Sequence, residues 1–235
     1  MRVVDFHSHI LPGVDDGSKS LEESMALLRM EKEQGVGCVV ATPHFYPSYD
    51  SPERFLVKRN QEVCALREAM ANAPGLPKVI VGAEVYFFRG MSQSEQLPEL
   101  TIGESKCILI EMPPAPWSEE IYRELENIWE KWGITPIVAH IDRYIRPFRT
   151  YGIPKRLSRL PVLVQANAEF FLEKTTAGMA LRMLKAEQIQ LLGSDCHNLT
   201  SRKPNLGSAL ERIRQKLGEG VVEEINLLAS EVLGV

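Results

Sequence analysis

The sequence has little of what would place it outside the common class of globular proteins. Only four cysteines occur in 235 residues, and their spacing matches neither a CxxC pair nor a dense disulfide framework. No apolar run approaches the roughly 18 residues of a membrane-spanning helix. The N-terminus lacks the apolar stretch and the cleavage site of a signal peptide. We therefore expect a cytoplasmic protein that does not insert into membranes.

An excess of one charge is also missing. The chain has 27 basic and 31 acidic residues, which gives a net charge of −4, and no extended basic stripe is visible. This balance provides no general attraction for nucleic acid, so we expect no nucleic-acid partner. With 44% hydrophobic residues and no linker-like segment, the chain predicts a single domain over residues 1–235.

Short runs rich in Val, Ile and Leu alternate with helical segments along the chain. These runs are nearly continuous in hydrophobicity, which is typical of parallel strands that are buried on both faces. Repeated βα units favour an α/β fold, a distorted (β/α)7 barrel of TIM type, with an open doubly wound sheet as the alternative. The predicted strands are Arg2–Phe6, Gly37–Thr42, Lys78–Ala83, Lys106–Ile110, Ile134–Ala139, Val162–Ala166 and Gln188–Leu192.

All five histidines of the chain follow directly after one of these predicted strands. Parallel βα folds collect their chemistry at the carboxyl ends of the strands, so these imidazoles are expected on one rim. Histidines with only structural roles would also occur on helices and surfaces, whereas all five histidines here follow strands. Four carboxylates are found in the same segments. The nine candidate metal ligands are His7, His9, Asp16, His44, Glu84, Glu111, His140, Asp195 and His197.

Mixed imidazole and carboxylate ligands suit manganese, iron or zinc, and nine of them can hold two or three divalent ions. Neighbouring ions lower the pKa of a bound water and stabilise the attacking and leaving oxygens of an in-line displacement. This pattern predicts hydrolysis of a phosphoester. Arg143 and Arg202 follow two of the ligand motifs, and each could present a guanidinium to phosphate oxygens.

The motifs at the strand ends resemble those of the polymerase-and-histidinol-phosphatase (PHP) superfamily. The segments 7–17 and 33–36 resemble one branch closely, the manganese-dependent protein-tyrosine phosphatases of CpsB/CapC type from bacterial capsule and exopolysaccharide operons. The motifs are Asp5-x-His7-x-His9, Asp16, Thr42-Pro43-His44, Gly82-Ala83-Glu84-Val85, Ala139-His140-x-Asp142-Arg143-Tyr144 and Ser194-Asp195-x-His197-Asn198.

This resemblance implies a PHP-type barrel with a trinuclear site, manganese being the first choice of metal. It also implies that Asp5 orients an imidazole and that Arg143 and Arg202 grip the phosphate. The implied ligands are His7, His9, Glu84 and Asp195 for one ion, Glu84, Glu111 and His140 for the second, and Asp16, His44 and His197 for the third.

The resemblance further implies a substrate and a mechanism. The family acts on phosphotyrosines in the tail of an autophosphorylating bacterial tyrosine kinase that controls polysaccharide export. Phosphotyrosine hydrolysis by a metal-activated hydroxide is therefore our hypothesis. A tyrosinate leaving group has a pKa of about 10, so no strong general acid is required and none is named.

Three alternatives remain open at this point. Cys196 and Arg202 have the Cys-x5-Arg spacing of cysteine-based phosphatases, although no glycine lies between them to shape a phosphate loop. A small-molecule phosphomonoesterase such as histidinol phosphatase would use much the same ligands. A regulatory binding module without activity is disfavoured by the complete ligand set.

Aromatic residues also follow the strands. One or two of them could stack on a phosphotyrosine ring, and packing of the loops against the barrel is an equal alternative for each. They are Phe45, Tyr46, Tyr49, Tyr86, Phe87, Phe88, Trp117 and Tyr144.

Overall fold

Buried strands alternate with helices throughout the computed structural model, which describes residues 2–114, 116–145 and 152–235. Within these ranges no helix is both long and apolar enough to cross a membrane. The strands are β1 (Val3–Ser8), β2 (Val36–Ala41), β3 (His44–Phe45), β4 (Lys78–Val81), β5 (Glu84–Tyr86), β6 (Cys107–Glu111), β7 (Thr135–Val138), β8 (Leu163–Asn167) and β9 (Leu191–Gly193). The helices are α1 (Leu21–Glu33), α2 (Pro52–Ala71), α3 (Glu119–Trp132), α4 (Gly152–Leu157), α5 (Ala168–Leu172), α6 (Ala177–Lys185), α7 (Leu206–Leu217) and α8 (Glu219–Leu233).

Every strand pairing in the described residues is parallel, as the apolar runs predict. One sheet has the order β1-β2-β4 and the other the order β3-β5-β6-β7-β8-β9. Backbone hydrogen bonds also connect the end of β1 with the segment after β9, from Asp195 N to His7 O (2.8 Å) and from His9 N to Cys196 O (2.9 Å). The result is a curled parallel sheet of α/β type, which favours the barrel-like expectation over the open doubly wound one.

The described residues contain nine strands, whereas the sequence predicts seven. Two of the predicted strands continue as a second short strand after a break of two residues, at 42–43 and at 82–83. The predicted strands end within these breaks, at Thr42 and Ala83, so the pattern did not predict that a second short strand follows each of them. The last strand, β9, lies later than predicted, and a helix, α5, follows β8 where none was predicted. Two 3-10 turns, Met91–Gln93 and Leu97–Leu100, lie in the connection between β5 and β6.

Helix α1 begins at a capping residue and carries one charged residue on its buried face. The Ser20 side chain accepts a hydrogen bond from Glu23 N at the start of α1 (3.3 Å), which satisfies one free N–H of the first turn. The buried face of α1 carries Ser24, Leu27 and Leu28 at helical spacing, and this face also includes Glu31. A charged residue on the buried face of a helix requires a polar partner in the core.

Gly193 lets β9 approach β1 closely. A Cβ atom added at this position would lie 2.5 Å from His7 Cβ and 2.7 Å from His7 N. Real Cβ atoms do not make such short contacts, so any larger residue must push the two strands apart. This close approach holds the ends of β1 and β9 together at the rim.

We expect Gly193→Ala to lower the free energy of unfolding by about 1–3 kcal/mol, the usual cost of overpacking a core. Urea denaturation measures this change. Gly220→Ala is the matched control, because Gly220 lies exposed in α8 with no atom near its missing Cβ. Equal stability of the two variants would contradict the role given to Gly193.

Candidate metal centre

All nine predicted ligands lie together at the carboxyl ends of the strands. His7 and His9 come from the end of β1, His44 from β3 and Glu84 from β5. The other five residues stand at or just beyond the ends of further strands, or in the loop after β1. Since these strands are parallel neighbours, residues distant in the sequence meet in one cluster.

Glu84 is the centre of this cluster. Its Oε2 lies 3.2 Å from His7 Nε2 and 3.3 Å from His9 Nε2. Its other oxygen, Oε1, lies 2.7 Å from His140 Nε2. Asp195 completes the group, with Oδ1 at 3.3 Å from His9 Nε2. The two Glu84 oxygens therefore face two different sets of nitrogen atoms.

Two further groups of donors flank Glu84. On one side, His140 Nε2 lies 3.9 Å from Glu111 Oε1. On the other side, Asp16 Oδ1 lies 3.7 Å from His44 Nε2 and 3.6 Å from His197 Nε2. His44 also turns Nδ1 toward Glu84 Oε2, at 3.0 Å. The structure thus brings together the residues of each of the three predicted ligand sets.

The spacing of these atoms fits metal coordination. Two ligands that each lie about 2.1 Å from one ion are themselves about 3–3.5 Å apart, which is near the distances around Glu84. Several of the atoms are buried and have no hydrogen-bond partner, and buried polar atoms are rarely left so. These atoms are His44 Nδ1, Glu84 Oε2 and His197 Nε2.

The imidazole tautomers also fit metal binding. His7 Nδ1 lies 3.3 Å from Gln165 Oε1, and His9 Nδ1 lies 2.7 Å from Asp15 Oδ2. His197 Nδ1 lies 2.9 Å from the backbone oxygen of Asp195. Because these oxygens accept hydrogen bonds, they favour a proton on each Nδ1, and Nε2 of each neutral ring would then be the nitrogen that binds a metal ion.

The electrostatics of the cluster favour positive charge. Burial opposes protonation of His9, but Asp15 and the other adjacent carboxylates outweigh it and raise the pKa of His9 well above its ordinary value. Burial likewise opposes ionisation of Glu84, yet the surrounding imidazoles hold its pKa well below the usual range. For His197, burial and the charge of His9 lower the pKa to about 4.

Three supporting residues were not predicted from the sequence. Asp15 holds His9, and its Oδ2 also accepts a hydrogen bond from His44 N (2.9 Å). Gln165 accepts from His140 N (2.6 Å) as well as from His7, and Asn167 donates to Asp195 Oδ2 (2.8 Å). A polar residue at position 165 within the apolar run of β8 was the available signal, because β8 is buried.

Asp5 differs from the expectation that it orients an imidazole. Its Oδ1 instead accepts hydrogen bonds from the backbone of His7 (3.2 Å) and Ser194 (2.8 Å). Asp5 and His7 share one face of β1, because alternate residues of a strand point to the same side, and Asp5 lies one step before His7 along the strand. Asp5 therefore fixes the two backbone segments that carry His7 and Asp195.

Glu31 of α1 faces Asp5 beneath the cluster. Both side chains are fully buried, and one oxygen of each, Asp5 Oδ2 and Glu31 Oε2, has no other partner. Burial raises the pKa of Asp5, and burial together with the charge of Asp5 raises the pKa of Glu31 well above its usual value. One proton shared between the two carboxyl groups removes their repulsion.

Both predicted arginines reach the cluster. Arg143 Nη2 and Arg202 Nη2 lie 2.5 Å and 2.8 Å from the same oxygen, Asp195 Oδ2. Arg143 Nη1 also lies 3.7 Å from Glu111 Oε1. Each arginine is more than one third exposed, so both guanidinium groups border the cluster and face solvent.

Cys196 lies on the opposite side of its strand end from the candidate ligands. The thiol is fully buried, 3.8 Å from Glu31 Oε1. Burial and the nearby carboxylates raise its pKa well above the ordinary value for cysteine. The nucleophile of a Cys-x5-Arg phosphatase is an accessible thiolate, so the burial of Cys196 disfavours this alternative.

Two cluster residues adopt a backbone conformation that side chains rarely take. His140 has φ of 31° and Asp195 has φ of 53°. Such conformations cost on the order of 1–3 kcal/mol each and are typical of functional sites. Here they turn each side chain back over the end of its strand.

The protein combines a curled parallel α/β sheet with a cluster of imidazoles and carboxylates at the strand ends. This combination is typical of enzymes that bind metal ions at the carboxyl ends of their strands. The sequence profile of one family, described as capsular polysaccharide synthesis, CpsB/CapC, matches residues 3–233. The chain belongs to this family, as the resemblance of its motifs predicted.

Curated relatives agree with this assignment. The tyrosine-protein phosphatase CpsB of Streptococcus pneumoniae is 31% identical over 233 residues, which covers 95% of this chain and 94% of CpsB. The tyrosine-protein phosphatase YwqE of Bacillus subtilis is 26% identical, covering 92% of this chain and 85% of YwqE.

A solved structure has the same fold. It comes from the crystal structures of YwqE from Bacillus subtilis and CpsB from Streptococcus pneumoniae, described as unique metal-dependent tyrosine phosphatases. The TM-score is 0.86 at 22% identity, covering 99% of this chain and 94% of the other.

The Glu31–Asp5 pair gives a prediction for the pH dependence of stability. Because folding raises the pKa of Glu31, its contribution to stability is fully present below the unfolded pKa and is lost as the pH rises through the folded pKa. Glu31→Gln removes this loss and provides an N–H for Asp5. Above pH 5 we expect the free energy of unfolding of the variant to increase relative to that of the native protein, by up to about 1.4 kcal/mol per pH unit.

Urea denaturation between pH 5 and 8 in EDTA measures the effect. Glu33→Gln is the control, since Glu33 is exposed on the same helix. If the stability of Glu31→Gln changes with pH in parallel with that of the native protein, the two carboxyl groups do not share a proton.

Proposed function

We propose that this protein is a metal-dependent phosphatase that hydrolyses phosphotyrosine. The observation that carries the proposal is the convergence of nine imidazole and carboxylate side chains in one cluster centred on Glu84, with Arg143 and Arg202 beside them. The curated relatives are named tyrosine-protein phosphatases, and an arginine pair next to metal ligands suits a phosphate dianion.

We infer that the nine strands occupy seven positions of a distorted (β/α)7 barrel within a single domain. β2 and β3 would share one position, and β4 and β5 another. The pairing supports this, because β2 pairs with β4 and β3 pairs with β5 in equivalent register. The hydrogen bonds between the ends of β1 and β9 would close the barrel.

The residues fit three divalent ions, with manganese as the first choice and iron or zinc as alternatives. The bound ions supply Lewis acidity that activates water and neutralises charge on phosphoryl oxygens. Glu84 would bridge two ions, because its two oxygens face separate groups of nitrogen atoms. The full set of ligands would be His7, His9, Glu84 and Asp195, then Glu84, Glu111 and His140, then Asp16, His44 and His197.

The residues of the chain itself would bind and orient the substrate. Arg143 and Arg202 lie where they can donate to phosphoryl oxygens, and Asp195 keeps both guanidinium groups in place. Gln165, Asn167 and Asp15 hold the ligands rigidly, so little reorganisation is needed during reaction. Tyrosinate leaves without a strong general acid, because the tyrosine hydroxyl has a pKa of about 10 and its phenolate is a better leaving group than an alkoxide.

We propose that the natural substrate is a phosphotyrosine in the tail of a bacterial tyrosine kinase that controls capsule or exopolysaccharide synthesis. The description of the family as capsular polysaccharide synthesis supports this setting.

Turnover assays on a phosphotyrosine peptide and on histidinol phosphate test the proposed function. Each is run with added Mn²⁺, after EDTA treatment, and with the Cys196→Ser variant. We expect peptide hydrolysis that requires metal, because the bound ions would lower the pKa of the attacking water, and that survives Cys196→Ser, because the thiol is buried.

The outcomes separate the alternatives. A preference for histidinol phosphate would move the protein to the small-molecule phosphatases and leave the metal site as it is. Activity that resists EDTA and is lost in Cys196→Ser would overturn the metal mechanism. Metal binding without any hydrolysis would favour a regulatory module.

A further inference from the structure

The aromatic residues that follow the strands fall into two groups. Phe45, Phe87 and Tyr144 are buried in the core, and Phe88 and Trp117 pack against it. Of the remaining three, Tyr46 contacts both Tyr49 and Tyr86 beside the candidate ligands, and we call these three residues the tyrosine cluster.

Two neighbouring strands place tyrosines directly above metal ligands. His44 pairs with Glu84 across β3 and β5, and each is followed two residues later by a tyrosine, Tyr46 and Tyr86. Tyr86 shares a face of β5 with Glu84, because alternate residues of a strand point to one side, whereas Tyr46 directly follows the last residue of β3. Two residues of a strand span about 6.6 Å, so the rings lie one step further out than the ligands.

The rings are held in position. The Tyr46 ring stacks on His44 with centroids 5.0 Å apart, and its hydroxyl donates to Glu111 Oε2 at 3.3 Å. The centroid of Tyr86 lies 5.6 Å from that of Tyr46. Tyr46 is therefore held by two candidate ligands, His44 and Glu111, and also contacts Tyr86.

Tyr49 extends the cluster into solvent. It is 83% exposed, although its ring stands edge-on to Tyr46 at 6.3 Å. A tight turn fixes it, because Tyr49 N and Asp50 N both donate to Tyr46 O. Packing does not explain so exposed an aromatic ring in a fixed turn beside a polar site.

We propose that the tyrosine cluster is the subsite for the aromatic ring of the substrate, and that it makes the enzyme prefer aryl over alkyl phosphate monoesters. This inference rests on the proposed function. With the phosphoryl group bound by the candidate ligands, Arg143 and Arg202, the group attached to the ester oxygen would lie next to Tyr46 and Tyr86. An aromatic ring there stacks on the cluster, whereas an alkyl chain makes weaker contacts.

The test compares phosphotyrosine and phosphoserine peptides of the same sequence on the Mn²⁺-loaded enzyme. Tyr46→Leu and Tyr86→Leu should each lower the ratio of kcat/KM for the two peptides by about three- to tenfold, the usual range for one aromatic pair. Tyr46→Phe keeps the ring and loses the hydroxyl, so it should retain the native ratio. Trp129→Leu is the control, an exposed aromatic residue near the far end of α3.

Binding provides a second readout that does not depend on turnover. Calorimetry with phenylphosphonate and methylphosphonate should give tighter binding of the phenyl compound to the native protein, and Tyr46→Leu should remove most of that difference. Metal content is measured for every variant to exclude loss of the ions.

A ratio that stays the same in Tyr46→Leu and Tyr86→Leu, with both rates reduced equally, would overturn the subsite. A phenyl preference in binding that survives both substitutions would do the same. If no phosphate ester is hydrolysed but the phenyl preference depends on Tyr46, the proposed function fails and the aryl subsite stands.

Discussion

Glu84 is a buried carboxylate surrounded by the nitrogen atoms of four imidazoles, and the rest of the site is arranged around it. An isolated charge in such a position would be strongly destabilising, so positive charge must lie close to both of its oxygens. The separate directions of Oε1 and Oε2, toward His140 and toward His7 and His9, divide the cluster into adjoining groups. This division is the physical basis for proposing several ions instead of one.

The fold meets this requirement with residues that never face the substrate. Gly193 allows β9 to lie against β1, and Asp5 ties the backbone at His7 to the backbone at Ser194. Gln165 fixes one imidazole and the backbone of another. The left-handed conformations of His140 and Asp195 persist because these surrounding contacts hold them.

Much of this arrangement could be predicted from the sequence because the informative residues lie directly after the apolar runs that form the strands. A histidine or carboxylate just after an apolar run is conspicuous, and parallel βα topology then places all such residues on one rim. The parallel α/β class and the family were predicted in this way and are confirmed. The roles of the nine ligands and the two arginines, and the count of seven barrel positions, stay predictions.

The role of Glu31, the strand breaks and the tyrosine cluster could not be predicted, because the residues next to them in the sequence give the same pattern. Glu31 belongs to a helix rich in charged residues, and only the structure shows that its position faces Asp5. The strands β3 and β5, which follow the breaks at 42–43 and 82–83, have only two and three residues and are too short to show a hydrophobic pattern of their own. Eight aromatic residues follow the strands, and the sequence could not separate the three of the tyrosine cluster from the five that pack into or against the core.

The metal content of the purified protein tests the central claim most directly. Elemental analysis of protein equilibrated with Mn²⁺ and freed of excess metal should give three ions per chain. Glu84→Ala should reduce that number by at least two, because Glu84 would bind two of the ions. One ion or none in the native protein, or a number that does not change in Glu84→Ala, would contradict a polynuclear centre built around Glu84.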